Sequence, residues 1–77
     1  MQEMDITGKR NIVSQRVRQA RKAAHMTQEQ LAEKVGVRRE TIMRLEAGRY
    51  NPSLKLAIDI SREVETPIEV LFIFEEK

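Results

Sequence analysis

The 77-residue chain contains no cysteine and a single histidine, His25. The first absence excludes disulfides and thiolate metal sites. The second excludes a multi-histidine metal site. No apolar run approaches the ~20 residues that a membrane span requires. The opening stretch MQEMDITGKR is polar and holds no apolar signal core, so a cytoplasmic location is expected. There is no glycine-rich phosphate loop, no metal-ligand cluster and no nucleophile–base pair, and the chain lacks the size for a sizeable substrate pocket. Neither an enzyme nor a cofactor is expected. A chain this short buries only a modest core. With neither disulfide nor metal as a staple, a partner subunit becomes the natural support.

What is present is charge. Hydrophobic residues make up 40% and charged residues 34%, which suits a folded domain with a highly charged surface. The net charge of +2 hides a polarity along the chain. Residues 1–8 sum to −2, residues 9–49 to +7 and residues 50–77 to −3. A basic middle between acidic ends points to one face made for an anion and another made for something else. Nucleic acid is the commonest large anion in a cytoplasm. Chance clustering on solvated helix faces is the alternative on charge alone.

Residues 1–10 show no periodicity and read as an arm; residues 11–74 read as one domain and 75–77 as a charged tail. From Asn11 the pattern is helical, with Val13, Val17, Ala20 and Ala24 on one face. A capping box, Thr27 to Gln30, opens a second helix, and Gly36 stops it. A third helix is expected from about Arg38 to Ala47, ended by Gly48. Ser53 caps a fourth helix carrying Leu54, Leu56, Ala57, Ile58, Ile60 and Val64. Thr66-Pro67-Ile68-Glu69 reads as a second capping box, opening a short fifth helix. Phe72-Ile73-Phe74 reads as extended, with the N-terminal arm as one candidate strand partner. The expected class is all-α: a compact five-helix domain, with a short C-terminal strand at a dimer interface.

Helices two and three are joined by only about three residues around Gly36-Val37, the signature of a helix-turn-helix over about residues 27–47. Ala32 is small, which permits a close helix crossing. Gly36 accepts positive φ. Val37, Ile42 and Leu45 are apolar and seat the third helix. With these residues, Arg18, Arg21-Lys22, Met26-Thr27-Gln28, Leu31-Ala32, Thr41-Ile42, Leu45-Glu46, Gly48-Arg49-Tyr50-Asn51-Pro52-Ser53-Leu54, Leu56-Ala57, Pro67-Ile68 and Leu71-Phe72 are similar to the phage-repressor-type helix-turn-helix domain, the XRE or Cro-repressor family. The resemblance covers residues 17–72 and is greatest to the small stand-alone, lambda-repressor-like regulators. Two positions depart from it. His25 stands where glycine is common, and Arg38 stands where serine is common.

The third helix can also be read from its own wheel. With Ile42 at zero and about 100° per residue, Leu45 and Glu46 fall on the buried side. Glu40, Arg44 and Ala47 fall opposite, with Met43 and Thr41 on the flanks. Arg39 sits at the helix start, where a long side chain reaches forward. The resemblance implies that this half of the helix enters the DNA major groove. The expected base-contacting residues are Arg39, Glu40, Thr41, Met43 and Arg44. Arginine pairs bidentately with guanine and glutamate accepts from cytosine, so G·C pairs are expected in each half-site. For Glu40 the alternative is an ion pair that orients Arg39 or Arg44.

Phosphate contacts are expected to flank the helix, from Gln28, Arg38, Arg49, Tyr50 and Asn51. Gln28 opens helix two, where backbone N–H groups favour an anion, and the resemblance gives this glutamine that role. Tyr50 has the alternative of packing over helix four. Lys9 and Arg10 either touch the backbone as a basic arm or are solvated. The resemblance pairs Arg21 with Glu46 in a structural salt bridge that locks helix three against helix one. His25 reads as a turn residue.

The resemblance implies a sequence-specific regulator of transcription, a repressor, that binds duplex DNA. One recognition helix contacts too few base pairs for useful specificity, so a homodimer on a near-palindromic site is expected. The expected interface is Leu56, Ile60, Ile68, Leu71, Phe72, Ile73 and Phe74. The alternative is an antitoxin or adaptor that uses this fold to bind a protein. Neither a membrane partner nor a small-molecule sensor domain is expected.

Overall fold

The computed structural model describes residues 12–74, with side chains described from Arg16 to Ile73. The expected arm at 1–10, with Lys9 and Arg10, the tail at 75–77 and the side chain of Phe74 lie outside the described residues. Seven elements follow in order: β1 (Ile12–Gln15), α1 (Val17–Ala23), α2 (Gln28–Val35), α3 (Arg39–Glu46), α4 (Leu54–Glu63), α5 (Ile68–Leu71) and β2 (Phe72–Phe74).

Local chemistry sets most of the helix boundaries. In α2, Thr27 Oγ1 accepts from the Gln30 amide at 3.0 Å and Gln30 Oε1 accepts from the Thr27 amide at 2.9 Å. This reciprocal cap satisfies two amides that the helix itself cannot. Gly36 then turns left-handed, φ 77°, and the Val37 amide donates to the Ala32 carbonyl at 3.0 Å. The α3 helix has no side-chain cap at Arg38 and stops at Gly48, also φ 77°. Ser53 Oγ accepts from the Leu56 amide at 3.1 Å and opens α4.

The helices converge on one core. Val17 of α1, Leu31 of α2, Ile42 and Leu45 of α3, Ile60 of α4, Leu71 of α5 and Phe72 of β2 are fully buried. At about 1.5–3 kcal/mol for each large apolar side chain, their burial is the main force that seats α3 on the other helices.

Three expectations are corrected by this arrangement. Helix one does not begin at Asn11: residues 12–15 form β1, and α1 begins only at Val17. The β-branched pair Ile12-Val13 favours extended backbone, and a strand partner lies within reach. That partner is β2, antiparallel to β1 with Ser14 opposite Ile73 and Gln15 opposite Phe72, and a bulge between Ile12 and Ser14. The C-terminal strand thus pairs within its own chain. The Arg16 amide extends the ladder by donating to the Leu71 carbonyl at 2.8 Å.

The second capping box does not form. Thr66 Oγ1 donates backward to the Val64 carbonyl at 3.0 Å, and α5 starts at Ile68 with Pro67 before it and no side-chain cap. A four-residue helix has little ladder of its own to cap. Finally, Leu56, Ile60, Leu71 and Phe72 are covered by their own chain and present no surface to a second copy. All four belong to the shared core, and the ladder with β1 ties Leu71 and Phe72 to the residues just before α1.

Candidate nucleic-acid interface

The two sides of α3 have opposite chemistry. Its inner side carries Ile42 and Leu45, both buried. Its outer side carries Arg39, Glu40, Met43 and Arg44, all exposed, with Thr41 half-buried on the flank. Exposed Arg38 precedes the helix; exposed Arg49 and Tyr50 and half-buried Asn51 follow it. Glu40 forms no ion pair with Arg39 or Arg44 among the described residues. The carboxylate and both guanidinium groups are therefore open to an external partner.

What fixes α3 at its inner edge is a polar cluster. Arg21 is 7% exposed and grips Glu46 with two hydrogen bonds, Nε to Oε2 at 2.7 Å and Nη2 to Oε1 at 3.1 Å. Its third nitrogen, Nη1, donates to the Met26 carbonyl at 2.8 Å, in the turn between α1 and α2. Gln28 Nε2 donates to Glu46 Oε1 at 3.0 Å. One carboxylate of α3 is thereby tied to α1, and to α2 at its first residue. A bidentate arginine–carboxylate pair fixes orientation as well as distance. Gln28 is accordingly not the simple surface residue that its place at the helix start implied.

An open groove runs between α1, the start of α2 and α3, with Arg21, Gln28 and Glu46 along it. Arg39 and Met43 form its α3 wall, with Ala47 just past the helix end, and Arg18 stands on the α1 wall. Arg18 is absent from the expected site. Its sequence signal is its position three residues before Arg21, on the same side of α1. No group of three or more His, Asp or Glu side chains is placed to hold a metal among the described residues, and no described helix is long and apolar enough to cross a membrane.

A basic, exposed helix face held over a short glycine turn defines a helix-turn-helix DNA-binding domain. The comparisons agree: the helix-turn-helix family model matches residues 17–71, and the chain belongs to that family, in its XRE or Cro-repressor type. It is 56% identical over 62 residues to an uncharacterized HTH-type transcriptional regulator of Archaeoglobus fulgidus, covering 80% of this chain and 87% of that one. It is 39% identical to the regulator YgzD of Bacillus subtilis over 80% of this chain and 94% of that one. Among solved structures it is similar to the restriction-modification controller protein C.AhdI from Aeromonas hydrophila. That likeness has a TM-score of 0.67 and 28% identity, over 73% of this chain and 85% of that chain. The protein is thus a helix-turn-helix transcriptional regulator of a DNA-binding family, and that family is not enzymatic.

Proposed function

We propose that the protein represses transcription by binding a near-palindromic duplex site as a homodimer, with α3 in the major groove. The observation that carries this reading is the outward row Arg39, Glu40 and Arg44, unpaired among the described residues, on a helix whose inner side is pinned by the Arg21–Glu46 pair. Arg39 and Arg44 read guanine edges, and Glu40 accepts from a cytosine amino group. Thr41 and Met43 add flank contacts. Gln28, Arg38, Arg49, Tyr50 and Asn51 hold the sugar–phosphate backbone and set the register.

Dimer contacts fall to the residues that the core leaves open. Ile68 is half-buried and Ile73 is exposed; Val70, which sequence reasoning passed over, is 46% exposed on α5. Two-fold symmetry places the two α3 helices in successive major grooves, ~34 Å apart. Occupation of a site that overlaps a promoter blocks transcription.

The test begins with selection of bound duplexes from a random pool, followed by titration at rising salt. The expected result is an inverted repeat with half-sites one helical turn apart and an affinity that falls steeply as salt rises. No enriched sequence, or an affinity indifferent to salt, overturns the reading. Repression is tested by placing the selected site over a reporter promoter, where expression is expected to fall when the protein is present. A rise would make it an activator.

A further inference from the structure

The groove between α1, the start of α2 and α3 holds more charge than the polar cluster uses. Arg21 and Glu46 neutralise each other at 2.7 Å. Arg18 and Arg39 line the same groove, are exposed and make no ion pair among the described residues. Glu29, also exposed and in the groove lining, is the one opposing charge outside the Arg21–Glu46 pair. Two guanidinium groups against one carboxylate make the groove a net cationic channel beside the base-reading face, with α1 as its far wall. Among the described residues, Arg18 packs in no core and bonds no carboxylate, so its long cationic side chain is available to an outside partner.

We propose that Arg18 is a backbone clamp. It holds a duplex phosphate from the α1 wall while α3 reads the bases, and Glu29 opposes it and keeps the affinity in check. The inference rests on the DNA-binding reading above and adds to it a residue outside the helix-turn-helix motif. Phosphate is the matching chemistry because a guanidinium bonds two phosphate oxygens at once, and a groove wall set back from α3 meets backbone rather than base edges.

The experiment measures the affinity of the full-length chain for its selected duplex across a salt series. The variants are Arg18→Gln, Arg18→Lys, Glu29→Gln and, as a control on another groove, Arg62→Gln. For Arg18→Gln we expect weaker binding and a plot of log affinity against log salt that is shallower by about 1 per half-site. The base-preference profile should not change. Arg18→Lys should restore most of the steepness, because it keeps the charge. Glu29→Gln should tighten binding at low salt, with the gain fading as salt rises. Arg62→Gln should match the wild type. A slope that Arg18→Gln leaves unchanged, in a wild type that binds steeply, overturns the clamp and spares the DNA-binding reading. An altered base preference in Arg18→Gln overturns it as well, since a clamp carries no sequence information. A wild type that binds no selected duplex overturns both. Thermal melts of the four variants that coincide with the wild type establish that the slopes report binding rather than folding.

Discussion

Among the described residues, two ion pairs have almost equal length and quite different consequence. Arg21 and Glu46 meet at 2.7 Å with side chains 8% and 5% exposed. Lys55 and Asp59 meet at 2.8 Å one turn apart on α4, with the lysine 85% exposed. The first joins α1 to α3, with Gln28 of α2 on the same carboxylate, and fixes the helix that carries the exposed basic face. The second spans a single turn of one helix, in water, where such pairs contribute a few tenths of a kcal/mol or less. The contrast follows the division of the chain. The basic half, α1 to α3, spends buried polar contacts on holding a surface in one orientation. The acidic half, α4 to β2, is held by apolar burial and leaves its charges in solvent. Distance alone does not rank an interaction; burial and what the partners connect do.

The sharpest way to break that contrast is Arg21→Ala. It leaves the Glu46 carboxylate buried without its bidentate cation, although the Gln28 amide still donates to it, and removes the donor to the Met26 carbonyl. Stripping one partner from a buried pair costs about 3–5 kcal/mol. For a domain this small, that is a large share of its total stability. Urea unfolding is expected to show the loss, and Lys55→Ala is expected to shift the midpoint barely at all. Replacing both partners together, Arg21→Met with Glu46→Leu, should recover much of the stability, because no charge is then stranded. Equal losses for Arg21→Ala and Lys55→Ala would dissolve the distinction between the two pairs.

The same division marks what could be read from the sequence. In the basic half the signals are local. Thr27 and Gln30 sit three apart and cap each other, Gly36 supplies a left-handed stop, and the α3 wheel separates Ile42 and Leu45 from Glu40 and Arg44. Each device is complete within one or two turns, so spacing reveals it. In the acidic half, and in the strand β1 that pairs with its end, the deciding contacts are non-local. Ile12 to Gln15 become a strand because Phe72 to Phe74 lie beside them, some sixty positions away in the chain. No spacing within Asn11–Val17 announces that, and the helical interval from Val13 to Val17 imitated a face. Thr66 resembled an N-cap but donates to Val64, because the chain is still closing α4 there. Phe72 and Leu71 looked surplus to a small core only while the ribbon that returns them to it was unseen. Within the site, the outward row was legible from periodicity. The bond from Gln28 to Glu46 was not, since it joins residues eighteen apart on two helices.

A second comparison, within the basic half, separates reading from holding. Arg44→Ala should cost about 1–3 kcal/mol of binding free energy at each half-site and relax the preference at one base position. Gln28→Ala should weaken binding evenly across sequences. Because Gln28 also bonds a buried carboxylate, its loss should in addition lower stability by about 1.5 kcal/mol, whereas exposed Arg44 should leave the melt unchanged. Competition with every single-base variant of the selected site, paired with thermal melts, checks both. A preference profile altered by Gln28→Ala and untouched by Arg44→Ala would reverse the two roles.

The smallest expected effect concerns how the helices end, where the two halves differ least. The α1, α2, α3 and α4 helices all close with the same bond, an amide donating to a carbonyl five residues back: Met26 to Arg21, Val37 to Ala32, Arg49 to Arg44 and Thr66 to Ser61, at 2.8–3.1 Å. Each places the residue before that amide in the left-handed region, and these are His25, Gly36, Gly48 and Glu65, with φ of 61°, 77°, 77° and 54°. Two ends use glycine, which occupies that region freely; two use residues whose Cβ is penalised there by about 1–2 kcal/mol. The molecule therefore carries its own control. A Cβ built on Gly36 or Gly48 meets nothing within 4 Å, so the substitution Gly36→Ala tests backbone strain alone. Its cost should be about 1 kcal/mol, the strain less the gain from a stiffer unfolded chain. Glu65→Gly and His25→Gly run the same change backward, and each should raise stability by about 0.5–1 kcal/mol. Both side chains are exposed, so neither substitution opens a cavity. Chemical denaturation of the three variants decides the matter. If Glu65→Gly destabilises, the Glu65 side chain contributes something that its exposed position does not reveal. If Gly36→Ala costs nothing, the turn into α3 is slack enough to accept an alanine, and α3 is held in place by its buried Ile42 and Leu45 and by the polar cluster around Glu46 rather than by the turn.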